Sequence, residues 1–168
     1  TGRDPGKNEA ASREFGPEAV FELDIRDESG VASVVAGIVG RFGSLDVLVN
    51  NAGVGRGGAV DELAVEAWDE VVDSHLRGAF LCSKHAVPPM RARGAGKIVN
   101  GGPMFSLFGP PGFSPYAAAK TGILGLTRAL AVELAPTIQV NALLPGWFET
   151  NLTRDTRDFR GERVELVD

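Results

Sequence analysis

The sequence predicts an α/β fold, in which helices alternate with short apolar strands around a parallel sheet. Three observations carry that expectation. The run Leu45-Asp46-Val47-Leu48-Val49-Asn50 has the length of a strand and is almost unbroken in its apolar character, as a parallel strand buried on both faces would be. Val31, Val34, Val35, Ile38, Val39 and Phe42 recur at helical spacing just before it. Glycine makes up 22 of 168 residues, about 13% against a usual ~7%, and it gathers between such segments, as at Gly53, Gly55, Gly57 and Gly58. No repeat or linker divides the chain, so residues 1–168 read as one domain.

Taken in order, Asp4-Pro5 gives a helix start, with Asp4 as cap and Pro5 in the first helical position. Gly16 ends that helix, and Ala10, Ala11 and Phe15 are expected to face inward. Ala19 to Ile25 alternates and predicts a short strand ending at Asp24. Asp27 caps the next helix, which stops at Gly43. A strand over 45–50 and a glycine-rich loop follow. A long helix is expected from about Val65 to Arg91, disturbed near its end by Pro88-Pro89. Lys97 to Gly102 reads as a strand and Gly109 to Pro115 as a loop. Tyr116 to Leu134 is a helix rich in Ala and Leu, and Ile138 to Leu144 is a strand closed by Pro145-Gly146. After Thr150 the chain is charged and without period.

Composition narrows the function. The formal net charge is −5, which gives no electrostatic reason to expect nucleic acid or an anionic membrane as partner. No apolar run approaches the ~18 residues that a membrane span requires. Cys82 is the only cysteine, so an internal disulfide is impossible, and a reducing, cytoplasmic setting is expected. His75 and His85 stand ten apart without a third clustered ligand, so no metal site is expected.

Three motifs then stand in a meaningful order. Asn50-Asn51-Ala52-Gly53 closes the apolar strand. Tyr116-Ala117-Ala118-Ala119-Lys120 opens a helix 66 positions after Asn50. Val140-Asn141, Pro145-Gly146 and Thr150 follow the next strand. Together they resemble the short-chain dehydrogenase/reductase family over essentially Thr1 to Thr153. The resemblance implies a Rossmann-like, doubly wound parallel sheet and hydride transfer between a nicotinamide cofactor and a carbonyl or alcohol substrate. It implies Tyr116 as the proton donor and acceptor, and Lys120 as the cation that lowers the tyrosine pKa and holds the nicotinamide ribose. Asp24 and Ile25 would lie on the adenine side, Asn50, Ala52 and Gly53 along the adenosine, Pro145 and Gly146 beside the nicotinamide, and Thr150 at its carboxamide. The helices 65–91 and 116–134 would pack across a homodimer or homotetramer interface.

Against the same pattern the chain departs in definite places. Thr1-Gly2-Arg3-Asp4-Pro5-Gly6-Lys7-Asn8 mimics the family's glycine-rich phosphate loop, but that loop lies farther upstream than the 49 positions separating Thr1 from Asn50. The spacing instead sets Thr1–Arg3 at the end of the family's second strand. Arg3 then occupies the place where a basic residue meets the 2′-phosphate, implying NADP over NAD. On this register the first strand, the glycine loop and the last strand are missing, and cofactor binding without that loop is in question. The strand over 20–24 is then left without neighbours, and the chain is expected to be a fragment or to close a smaller, rearranged sheet. Pro103 stands where the family has a hydroxyl-bearing serine, 13 before Tyr116, and offers neither hydroxyl nor N–H. Ser106 and Ser114 are the nearest substitutes. His75 stands where the family has an asparagine in the long helix. These departures leave a second expectation open, a non-catalytic scaffold used for dimerisation or regulation.

Overall fold

In the computed structural model, which describes residues 2–102 and 109–146, the first helix begins where its cap dictates. The Asp4 carboxylate accepts from the Lys7 N–H at 3.0 Å, and α1 runs over Pro5–Phe15 to Gly16. None of its residues is buried, and Phe15 is 64% exposed, contrary to the inward face expected of it. Among the described residues, the only regular element that α1 packs against closely is the following 3-10 turn, Pro17–Ala19, and none of them forms a layer in which it could bury an apolar side chain.

The strand expected over 19–25 does not form as such. A single parallel bridge joins Gly2 to Glu22, through Gly2 N–H to Phe21 O at 3.3 Å and Leu23 N–H to Gly2 O at 3.1 Å. A parallel ladder needs a neighbour along its length, and the described neighbour here is the short segment at Gly2. The segment is therefore not orphaned, which corrects the expectation of a strand without partners. The bridge also places Gly2 beside the 20–24 segment, as the register chosen from spacing requires.

Asp27 caps α2, Glu28–Phe42, through the Ser29 N–H at 3.0 Å, and Gly43 ends it in the left-handed region at φ 81°. Three strands then make one parallel sheet in the order β1-β2-β3: β1 is Val47–Asn50, β2 is Gly96–Gly101 and β3 is Ile138–Leu143. Register partners Leu48, Ile98 and Val140 point to one face, with Ile98 fully buried. That face is covered by α4 (Gly78–Arg93), α5 (Ser114–Leu134) and the edge of α2, through Ala86, Met90, Leu134 and Leu81. The opposite face carries Val47, Val49 and Leu143, which are 51%, 60% and 64% exposed. The expectation that the 45–50 strand is buried on both faces thus fails on one of them, because no described helix lies there.

The long helix comes in three pieces: α3, Val65–Val72, a π turn over Asp73–Arg77, and α4. The prolines do not break it. Pro88 and Pro89 lie inside α4, which continues to Arg93, because proline keeps a helical φ and the fully buried Ala86 and Met90 hold this segment on the sheet. The α5 helix starts two residues before Tyr116, with Pro115 in its first turn. No helix among the described residues is long and apolar enough to cross a membrane.

Candidate active site

Tyr116 and Lys120 lie four apart near the start of α5, and therefore on one helical face. The Lys120 ammonium donates to the Gly101 carbonyl, at the end of β2, at 2.7 Å, and lies 5.6 Å from the centroid of the Tyr116 ring. Only 6% of Lys120 is exposed. Burial brings its pKa down to about 8 and pushes the Tyr116 phenol above its ordinary value. The phenol is thus a protonated acid at neutral pH. The resemblance implied the opposite shift for the tyrosine; here the ammonium lies over the ring while its surroundings exclude water, and desolvation dominates.

His75 comes to this pair from the π turn, 6% exposed, with its ring edge-on to Tyr116 at 5.0 Å between centroids and 87° between planes. Its Nε2 lies 2.8 Å from the Val54 carbonyl oxygen and 3.2 Å from the Val54 nitrogen. Burial first, then the Lys120 charge, lowers its pKa to about 4, so the imidazole is neutral. Gly53 makes room for it: a Cβ at that position would collide with the His75 ring and stand 2.6 Å from Nδ1. Ser114, considered as a stand-in for the hydroxyl missing at Pro103, has a buried Oγ without a hydrogen-bond partner. It lies two residues from Tyr116, which in a helix puts the two side chains on different faces. Pro103, Ser106 and Thr150 lie outside the described residues.

A cavity of about 1100 Å³ opens beyond the carboxyl end of β1, and Arg3, Asp24, Ile25, Ala52 and Gly53 all line it. This is the place where parallel α/β sheets receive ligands. Five residues chosen from the sequence for an adenosine thus share one cavity, which fits that half of a dinucleotide. The pyrophosphate half finds no comparable cradle among the described residues. The N-terminus of α1 is already capped by the anionic Asp4, and Pro5 has no N–H to offer. Asp24 is heavily engaged: Arg26, a residue not singled out from the sequence, binds it at 2.7 Å, and Arg3 approaches at 3.4 Å. Its pKa falls to about 2, chiefly through the Arg26 hydrogen bonds. The two-residue spacing, which lets Asp24 also accept the Arg26 N–H, is the signal that could have found this clamp. Ile25 lines the cavity but also packs with Leu23 and against Gly78.

Asn50 is spent inside the fold. Its amide donates to Asn100 Oδ1 at 2.8 Å and to Ser83 Oγ at 3.3 Å, while Asn100 donates to Thr127 Oγ1 at 2.9 Å. This network ties β1 and β2 to α4 and α5, one residue along β2 from the Gly101 carbonyl that holds Lys120. Pro145 and Gly146 follow β3 at the same end of the sheet.

The chain matches known proteins in sequence and in fold. A family model described as short chain dehydrogenase matches residues 2–161. The chain is 37% identical over 145 residues to the 3-oxoacyl-acyl-carrier-protein reductase FabG of Staphylococcus aureus, covering 86% of this chain and 59% of that protein. It is 43% identical over 145 residues to the cis-4-hydroxycyclohexanecarboxylate dehydrogenase of Sinomonas cyclohexanicum, covering 84% of this chain and 58% of that one. A crystal structure of a gluconate 5-dehydrogenase from Burkholderia cenocepacia, in complex with NADP and tartrate, superposes with a TM-score of 0.83 at 32% identity. That match covers 90% of this chain and 62% of the other. The chain therefore spans about three fifths of the length of these relatives.

Proposed function

The chain belongs to the short-chain dehydrogenase family, and on that premise we propose that it serves hydride transfer between a nicotinamide cofactor, NADP in preference to NAD, and a small carbonyl or alcohol substrate. The observation that carries this reading is the Tyr116–Lys120 pair, set on one face of α5 at the carboxyl end of the parallel sheet. Tyr116, protonated at neutral pH, gives its phenolic proton to the substrate oxygen during reduction and takes it back during oxidation. Lys120, held by the Gly101 carbonyl, steadies the phenolate that forms and offers its remaining N–H groups to a ribose. Arg3, Asp24, Ala52 and Gly53 hold the adenosine end. The nicotinamide, when bound, supplies or accepts the hydride. Arg3 beside the cavity supports NADP, and the NADP in the gluconate 5-dehydrogenase relative points the same way.

The exposed Phe80 on α4 and Val132 on α5 support a homodimer or homotetramer through the helices of 65–91 and 116–134. A cytoplasmic setting fits the single buried cysteine.

Titration with NADPH and NADH, followed by nicotinamide fluorescence, tests the cofactor. Saturable binding at micromolar concentration, tighter for NADPH, is expected. Absence of binding by both favours the second reading, a non-catalytic scaffold, which the missing hydroxyl at Pro103 and the imidazole at 75 support. Given turnover of any carbonyl, Tyr116→Phe should abolish it; undiminished activity would remove Tyr116 from the reaction.

A further inference from the structure

His75 joins three chain segments that are remote in sequence: the turn after β1 at Gly53-Val54, its own π turn, and the start of α5. The ring is clamped. On one side lies the Gly53 backbone, so close that a Cβ there could not be accommodated, and another side meets Tyr116 edge-on at 5.0 Å. The polar contact is mismatched in an informative way. Both the Val54 carbonyl at 2.8 Å and the Val54 N–H at 3.2 Å address the same ring nitrogen. A neutral imidazole nitrogen carries either a proton or a lone pair, so it serves one of them at a time. The shorter contact favours donation from Nε2–H to the carbonyl. The lone pair then falls on Nδ1, which is buried without a partner. A side chain kept in so poor a polar fit, yet so tightly enclosed, acts through its shape as well as its hydrogen bond.

We propose that His75 is a positioning residue with two separable tasks: its ring buttresses the Tyr116 ring and keeps water from it, and its Nε2 latches the Val54 peptide, so that one side chain sets the loop after β1 against the Tyr–Lys helix. For its bearing on the reaction this rests on Tyr116 being the group that moves the proton, but the test does not. Tyr116 is the only tyrosine in the chain, so phenolate absorbance during an alkaline titration reports its ionisation alone.

Two variants of the full chain divide the tasks. In His75→Asn, a carboxamide can accept from the Val54 N–H and donate to its carbonyl together, while the ring is gone. Tyr116 should then ionise at lower pH, by roughly half a unit or more as water reaches it, with amide exchange at Val54 as slow as before. In His75→Leu, the apolar bulk stays and the latch is lost. Tyr116 should titrate as in the parent, while the Val54 amide exchanges about tenfold faster. An unmoved tyrosine titration in His75→Asn overturns the buttress. Unchanged Val54 exchange in His75→Leu overturns the latch, and both readouts moving together in either variant overturns their separability. Should His75→Leu not fold, shown by its thermal melt, His75→Asn alone decides the buttress. Failure of cofactor binding leaves all these readouts untouched, so it bears on the proposed reaction and not on this role.

Discussion

Among the described residues, Lys120 and His75 are the two bases whose burial opposes their charge, and each writes its own limb into the pH dependence of stability. The folded pKa of Lys120, about 8, lies below its ordinary 10.5, so between those values the unfolded chain binds the extra proton and stability rises with pH. Between pH 7.5 and 9.5, urea denaturation should show the parent gaining roughly 2 kcal/mol relative to Lys120→Met. The variant is the reference because burial also raises the Cys82 thiol above its ordinary 9.0 and the Tyr116 phenol above its ordinary 10.0, and both work in the opposite direction toward the top of that window. His75 governs the acid side. With a folded value of about 4 against 6.5, it stays neutral while the unfolded chain takes up a proton, so stability falls as pH drops from 6.5 toward 4. The loss should approach about 3 kcal/mol, and His75→Asn should remove most of that slope. Asp24 enters lower still: its stabilisation is complete above about 3.8 and fades toward about 2, reduced because the ion pair is partly exposed. The meeting of Tyr116 and Lys120 on one helical face was legible from their spacing of four, once the resemblance had singled them out. The direction of the tyrosine shift was not, because spacing says which side chains meet and nothing about how much water is left around them.

At the scale of single elements, local chemistry and tertiary packing divide the credit. The caps at Asp4 and Asp27 and the stops at Gly16 and Gly43 were readable because each depends on residues adjacent in sequence. The uninterrupted α4 was not, because what holds Pro88-Pro89 in a helix is Met90 and Ala86 in a core built from β2, β3 and α5. Pro88 is exposed, so Pro88→Ala should restore one ladder bond without disturbing packing. Thermal and urea unfolding should show a gain of about 1–2 kcal/mol, less than the ~3 kcal/mol helix preference because the unfolded chain also gains freedom. The Asn50–Asn100–Thr127 network is the reverse case, invisible in sequence because its members lie far apart along the chain. Asn100 is fully buried and serves both neighbours. Asn100→Ala should cost about 2–3 kcal/mol by stranding the Asn50 amide. In a double-mutant cycle with Asn50→Ala, much of that cost should appear as coupling rather than as a sum.

For the whole molecule, the α/β class and the parallel order followed from alternating elements and an apolar strand, but the number of layers did not. Apolar strand residues announce burial without saying which face finds a partner, and here α2, α4 and α5 all lie on the Leu48–Ile98–Val140 side. Val47, Val49 and Leu143 are left on the other side, and among the described residues β1 pairs only with β2, so there an apolar surface adjoins an unpaired strand edge. Natural sheets protect such edges with charge or cover, because the free N–H and C=O groups accept another chain. The described face has one cation of its own, Lys97, in register with Val47. The purified chain should therefore bind an apolar fluorophore in its native state and scatter light increasingly with concentration. Val49→Lys places a charge at the exposed centre of β1, where its long stem can still lie on the sheet, so it should reduce both signals severalfold while shifting stability by less than about 1 kcal/mol. Equal fluorophore binding by the parent and by Val49→Lys would mean that this face is covered in solution, and the exposure of Val47 and Val49 would then have no bearing on how the chain behaves.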